Sequence, residues 1–212
     1  MNLILLGAPG AGKGTQAELL VKALSIPAIS TGNMLRDAMQ HHTPLGEQVR
    51  QIMDSGMLVP DATVLDLVSA RIAREDCKDG FILDGVPRTL AQAEALDAAG
   101  IVVDYVISIE IDDSVIEGRM TGRRVCPKCG SSYHVDTNPP KMEGICDNCG
   151  EGLVIRKDDA PDTVRERLEV YHARTEVLKE YYLKQGKVRV VNGDQTMQKT
   201  HRDILEAIGA KV

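Results

Sequence analysis

No apolar run in this chain approaches the roughly 20 residues needed to cross a bilayer, which excludes a helical membrane span. Net positive charge is also missing: 31 acidic residues outnumber 25 basic ones, leaving −6. No global field would hold such a protein on DNA, RNA or an anionic membrane, so its nucleotide contacts must be local. Internal repeats and long low-complexity tracts are absent as well. The first residues enter a strand directly, without the pattern of a signal peptide, and a soluble cytoplasmic protein is expected. What is present is a chain of 212 residues with 43% hydrophobic content, enough for one sizeable core with small excursions.

The chain is organised around residues 2–15, an apolar run that breaks into glycines, a lysine and a hydroxyl. Residues 2–6 read as a buried strand of a parallel sheet, and Ala17, Leu20, Val21 and Leu24 fall at helical spacing. Gly7, Gly10 and Gly12 let the joining backbone curl and aim several N–H groups inward, where the helix dipole adds partial positive charge. Lys13 can place its ammonium between the last two phosphates of a nucleoside triphosphate. In the pattern G-x-x-x-x-G-K-[ST] a hydroxyl follows the lysine; here Gly14 intervenes and Thr15 comes one residue late. Direct magnesium contact by Thr15 is therefore left open.

Further along, a short strand at 27–29 leads to Thr31 as a helix cap, and residues 30–59 read as a small helical excursion broken at Pro44-Leu45-Gly46. Asp61 caps a longer helix with Val64, Leu67, Val68 and Ile72 on one face. Strands are predicted at 81–84, 102–111 and 188–191, and helices at 90–99, 113 to about 121, and 200–208. A long helix from Pro161 carries Val164, Leu168, Tyr171, Leu178 and Tyr182. Between residues 122 and 159 the periodicity stops, and Gly, Pro, Cys and charge mark an inserted lobe. The alternation predicts an α/β fold: a doubly wound P-loop sheet of about five parallel strands with two inserted lobes, its ligands beyond the C-terminal strand ends.

Four of the five cysteines form two C-x-x-C pairs, Cys126 with Cys129 and Cys146 with Cys149, as a tetrahedral thiolate site requires. Gly130 and Gly150 follow the pairs and permit the tight turns that aim both sulfurs at one ion. Four thiolates leave no open position, so the metal is expected to be structural and to replace a core in a lobe with few large apolar residues. Zinc is the default, with iron or cobalt remaining open. Cys77 lacks a partner at metal spacing and reads as packing or a surface thiol.

Asp84 ends an apolar strand beside the phosphate loop, where a magnesium-organising carboxylate belongs. Arg36, Arg88, Arg119, Arg123, Arg156 and Arg167 all fall at the predicted ligand edge or on its excursions. Closing the lobes would bring these forks onto a phosphate chain and replace water with fixed positive charge. Nothing marks a positioned water, which a hydrolase needs. A transferase must instead exclude water, and two mobile lobes would do so.

Residues 7–15, Thr31-Gly-Asn-Met-Leu-Arg36, Asp84-Gly-Val-Pro-Arg88, Gln92, Gly122-Arg123-Arg124 and Arg156-Lys-Asp-Asp159 together resemble adenylate kinases of the bacterial type, with a long metal-containing lid. The resemblance covers essentially the whole chain. It implies an AMP-binding lobe at 30–59 and a lid at 122–159 within a single nucleoside monophosphate kinase domain. Thr31, Arg36, Met57, Leu58, Val59, Gly85, Val86, Pro87, Arg88 and Gln92 would hold AMP. Gly10, Ala11, Gly12, Lys13, Gly14, Thr15, Arg119, Arg123, Ser132, Tyr133 and Gln195 would hold ATP. Arg156 and Arg167 would bridge towards AMP and the transferred group, with Lys13, Arg88, Arg123 and Asp84 completing the catalytic set. Magnesium would arrive with ATP, and a monomer is expected.

Two rivals are a kinase for another nucleoside monophosphate and a nucleotide-regulated nucleic-acid binder using the cysteine lobe as a zinc ribbon. Residues 122–159 hold six basic and six acidic side chains, and four thiolates add further negative charge. A nucleic-acid finger should be basic.

Overall fold

The computed structural model describes residues 1–210. Five strands form a parallel sheet in the order β2-β3-β1-β4-β7, comprising β1 (Asn2–Leu6), β2 (Ala28–Ser30), β3 (Phe81–Asp84), β4 (Tyr105–Glu110) and β7 (Val188–Asn192). Helices cover both faces. The α/β fold with its five-stranded parallel sheet is as the alternation predicts, because β1, β3 and β4 are apolar runs that can exist only between two layers.

Two hydrophobic clusters sit on the two faces. Ile4, Leu83, Val106 and Tyr182 belong to one; Leu3, Leu5, Ile82, Ile107 and Leu20 belong to the other. Alternate residues of β1 thus feed opposite faces, which fixes the strand's register. The pairing sets Leu5 and Ser30 level with Asp84, and Glu110 level with Asn192. All five strand ends therefore open onto one edge, and the loops that leave them share one crevice.

From this edge α1 (Lys13–Leu24) follows β1, while α2 (Thr31–Gln40), α3 (Pro44–Asp54) and α4 (Asp61–Ile72) fill the excursion between β2 and β3. After β3 come α5 (Leu90–Ala98) and, beyond β4, α6 (Asp113–Thr121). The second excursion is a two-stranded antiparallel ribbon, β5 (Arg123–Val125) with β6 (Ser132–His134), carrying both cysteine pairs. The chain returns through α7 (Pro161–Val170), a π-helical segment (Tyr171–Thr175), α8 (Val177–Leu183) and α9 (Met197–Ala207).

Three local expectations are corrected. Ser30 precedes α2 and Thr31 is its first residue, because the Thr31 hydroxyl donates to Gly85 O at 3.0 Å instead of capping the helix. Asp61 is likewise the first residue of α4 rather than its cap; its carboxylate is taken by Thr89 and Gln92. The long helix from Pro161 is interrupted by the π segment. Among the described residues, no helix is long and apolar enough to cross a membrane.

Candidate active site

The loop between β1 and α1 turns on Gly12, whose φ of 101° is open to glycine at little cost. Lys13 then starts the helix and folds back, donating to Gly7 O at 2.7 Å and Ala8 O at 2.9 Å. Gly14 lies beside Asp84, where a Cβ would make an ordinary contact of 3.7 Å with the carboxylate.

In front of this loop opens a cleft of about 1210 Å³. Its lining brings together Gly10, Ala11, Gly12, Lys13, Gly14 and Thr15 with Asp84 and all six arginines singled out above. Thr31, Met57, Leu58, Val59, Gly85 and Gln92 line it on one side, and Ser132, Tyr133 and Gln195 on the other. Two of the predicted residues lie elsewhere. Val86 is buried in the core, and Pro87 faces a separate cavity of about 60 Å³ behind the loop.

The two excursions meet over the cleft. Lys157 Nζ lies 3.4 Å from Asp54, Arg36 lies 4.0 Å from Asp158, and Gly130 packs against Asn33. The conformation is closed, which crowds cations together. Burial first, then Arg88, Arg167 and Arg123, push the Lys13 ammonium down to about 7 despite Asp84. Burial and neighbouring guanidiniums likewise lower Arg36 to about 10 and hold Arg156 well below the usual range. The buried Arg156 Nε has no hydrogen-bond partner among the described residues. A concentrated positive potential with a buried donor free to bond suits an anionic ligand.

Sequence reasoning placed Asp158 and Asp159 beside Arg156 without a role. In the structure Asp159, fully buried, takes Arg123 through both oxygens and Arg167 at 3.2 Å; Asp158 takes Arg167 at 3.0 Å. These acids fix the guanidinium planes. Burial raises the Asp158 carboxyl, but Arg167, Arg36, Arg156 and Arg123 outweigh it and hold the group below its ordinary value. Arg119 donates to Gly193 O at 2.9 Å, and Gln195 is held by Asp203 at 2.6 Å. Tyr133 reaches the cysteine knuckle, its hydroxyl 3.5 Å from Cys146 Sγ and accepting from Asp147 N at 2.8 Å.

The four cysteine sulfurs lie within 4.8 Å of one another, with Cys126 and Cys149 3.4 Å apart and Cys129 and Cys146 3.5 Å apart. A tetrahedron of thiolates about 2.3 Å from one ion has edges of about 3.8 Å, so the four donors fit a metal. Each knuckle closes through its glycine, Gly130 N onto Cys126 O and Gly150 N onto Cys146 O, both in the left-handed region. Cys77 lies apart and buried, 3.0 Å from an Arg71 nitrogen; Arg71 itself is paired with Asp76, so it is a structural tie.

Comparison with known proteins agrees with this geometry. The family model described as adenylate kinase matches residues 5–187. An adenylate kinase of Caldicellulosiruptor bescii is 52% identical over 99% of both chains. One from Caldicellulosiruptor saccharolyticus is 50% identical over 100% of both, and one from a Geobacillus species 49% identical over 99% of both. On the phosphate loop, the cation-lined cleft and these full-length relatives, the chain belongs to the adenylate kinase family of nucleoside monophosphate kinases.

Proposed function

We propose that the protein transfers the γ-phosphoryl group of MgATP to the α-phosphate of AMP, giving two ADP. One observation carries the reading: six guanidinium groups and Lys13 share one cleft, opposed by Asp84, Asp158 and Asp159. Such an excess of charge suits two phosphorylated ligands end to end. ATP lies against the backbone of residues 10–15, with Arg119, Arg123, Ser132, Tyr133 and Gln195 around it. AMP lies under the lobe at 30–59, held by Thr31, Arg36, residues 57–59, Gly85, Arg88 and Gln92. Arg156 and Arg167, between them, face the transferred group.

The attacking phosphate oxygen is already anionic, so no general base is required; positioning and charge stabilisation carry the rate. Magnesium arriving with ATP would add neutralising charge, and Asp84 would be the carboxylate that orients it. Lys13 regains its full charge when phosphates replace its contacts with Gly7 and Ala8. The segment at 122–159 acts as a lid that excludes water, since a hydrated γ-phosphoryl group would be lost to hydrolysis. Its four cysteines hold zinc in a structural role, as a closed thiolate shell offers no position for substrate.

An acceptor panel of AMP, GMP, CMP and UMP with MgATP tests the proposal. ADP formation with AMP at least a hundredfold above the others is expected. Comparable turnover with another acceptor would overturn the assignment of the base.

A further inference from the structure

Asp61 lies outside the set of residues assigned to substrate, yet both of its carboxylate oxygens are committed inside the base end of the cleft wall. Oδ1 accepts from Gln92 Nε2 at 2.7 Å, and Oδ2 accepts from Thr89 Oγ1 at 3.1 Å. On its other side the Gln92 carbonyl accepts from Arg88 N at 2.7 Å. The Thr89 hydroxyl takes Gln92 N at 3.2 Å, so its proton is directed to Asp61. Gln92 is 2% exposed and lines the cleft.

These partners leave the amide no choice of orientation. A carboxylate can only accept and a backbone N–H can only donate, so Nε2 must face Asp61 and Oε1 must face Arg88. Turning the amide over would set its NH₂ against Arg88 N–H and its carbonyl against the Asp61 carboxylate. After both anchors are satisfied, Gln92 retains one N–H and one lone pair. Side by side, these match a ring nitrogen that accepts next to an exocyclic amine that donates. They oppose a ring N–H next to a keto oxygen.

We propose that Asp61 is a specificity-determining positioning residue: by fixing the Gln92 amide it selects a 6-aminopurine monophosphate over a 6-oxopurine monophosphate. The inference rests on the reading that Gln92 faces the acceptor base. It assigns the discrimination to a carboxylate that does not touch substrate. An acceptor bearing the wrong edge leaves a buried donor and acceptor unpaired, which is the strong form of rejection.

The test uses Asp61→Asn, isosteric with the original side chain but able to donate as well as accept, together with Gln92→Leu. For each, kcat and KM are measured with AMP and with inosine monophosphate as acceptors at saturating MgATP. For Asp61→Asn the ratio of kcat/KM between the two acceptors is expected to fall about tenfold or more. The change should lie in KM for the acceptors, with kcat for AMP and KM for MgATP within about twofold. An unchanged ratio, or a uniform fall in kcat for both acceptors, would overturn the proposal and leave Asp61 a scaffold residue. Should Asp61→Asn fold poorly, Asp61→Ala, which removes the acceptor facing Gln92 Nε2, must lower the same ratio; an intact ratio in that variant overturns it equally. Gln92→Leu separates the two levels. If its ratio is also unchanged, the placement of the base against Gln92 fails; if its ratio falls while that of Asp61→Asn does not, only the role of Asp61 fails.

Discussion

Arg88 shows how a single side chain joins fold to chemistry. It follows the turn that ends β3, its Nε donates to Gly85 O at 2.9 Å, and its charge is buried in the cleft. Replacing it with alanine should lower kcat by about 10²- to 10³-fold, as for removal of one preorganised charge donor, while the melting temperature stays close to that of the parent. Steady-state kinetics beside a thermal melt check both halves, and near-normal turnover would refute the role. The six arginines could be read from the sequence because each falls near the ligand edge of the sheet or on the segments that leave it, although Arg36 lies inside α2 rather than at an element's end. Their anchoring by Asp158 and Asp159 could not, because adjacent acids in a polar segment read equally well as a solvated turn. Thr31 and Asp61 were legible as helix starts but not as hydrogen-bond partners of distant residues, since Gly85, Thr89 and Gln92 reach them only through the sheet.

Among the elements, strands were read most faithfully where both faces are buried. β4 begins three residues later than its apolar run, because Val102 is 69% exposed and the Asp104 carboxylate, not a ladder, takes Asn2 N at 2.6 Å. The return helix kept its apolar face but acquired a π turn that no apolar spacing announces. That turn holds His172, which bridges Asp113 at the start of α6 and Glu176 just after the π turn, at 2.9 and 3.0 Å. Hydrogen bonds to Glu176 and Asp113 raise the His172 pKa above its ordinary 6.5. A raised folded pKa means that the stabilisation is complete below about pH 6.5 and is lost as pH climbs through the raised value. The parent's melting temperature should therefore decline over that window relative to His172→Gln, by a small amount that salt screens, since the ring is 44% exposed. Parallel pH profiles for the two proteins would contradict the bridge.

For the whole molecule, stability is unevenly supplied. The sheet is clamped between two apolar clusters, whereas Met142, Val154 and Ile155 of the cysteine lobe remain largely exposed. A lobe without a core would depend on the metal that its four cysteines can hold, so adding a chelator, or Cys146→Ser, should expose residues 122–159 to protease before the rest of the chain. Unchanged lobe cleavage after proven metal loss would count against this. The clustering of the four cysteines was plain in the sequence; the contact between Lys157 and Asp54 was not, because it joins two excursions 103 residues apart along the chain.

The central claim is that closure directs the γ-phosphoryl group to AMP and away from water. ATP labelled in its γ-phosphate, incubated with magnesium and equimolar AMP, measures this as the ratio of label in ADP to label in inorganic phosphate. The account predicts nearly all label in ADP, at least a hundredfold over phosphate. Label released mainly as inorganic phosphate would contradict it.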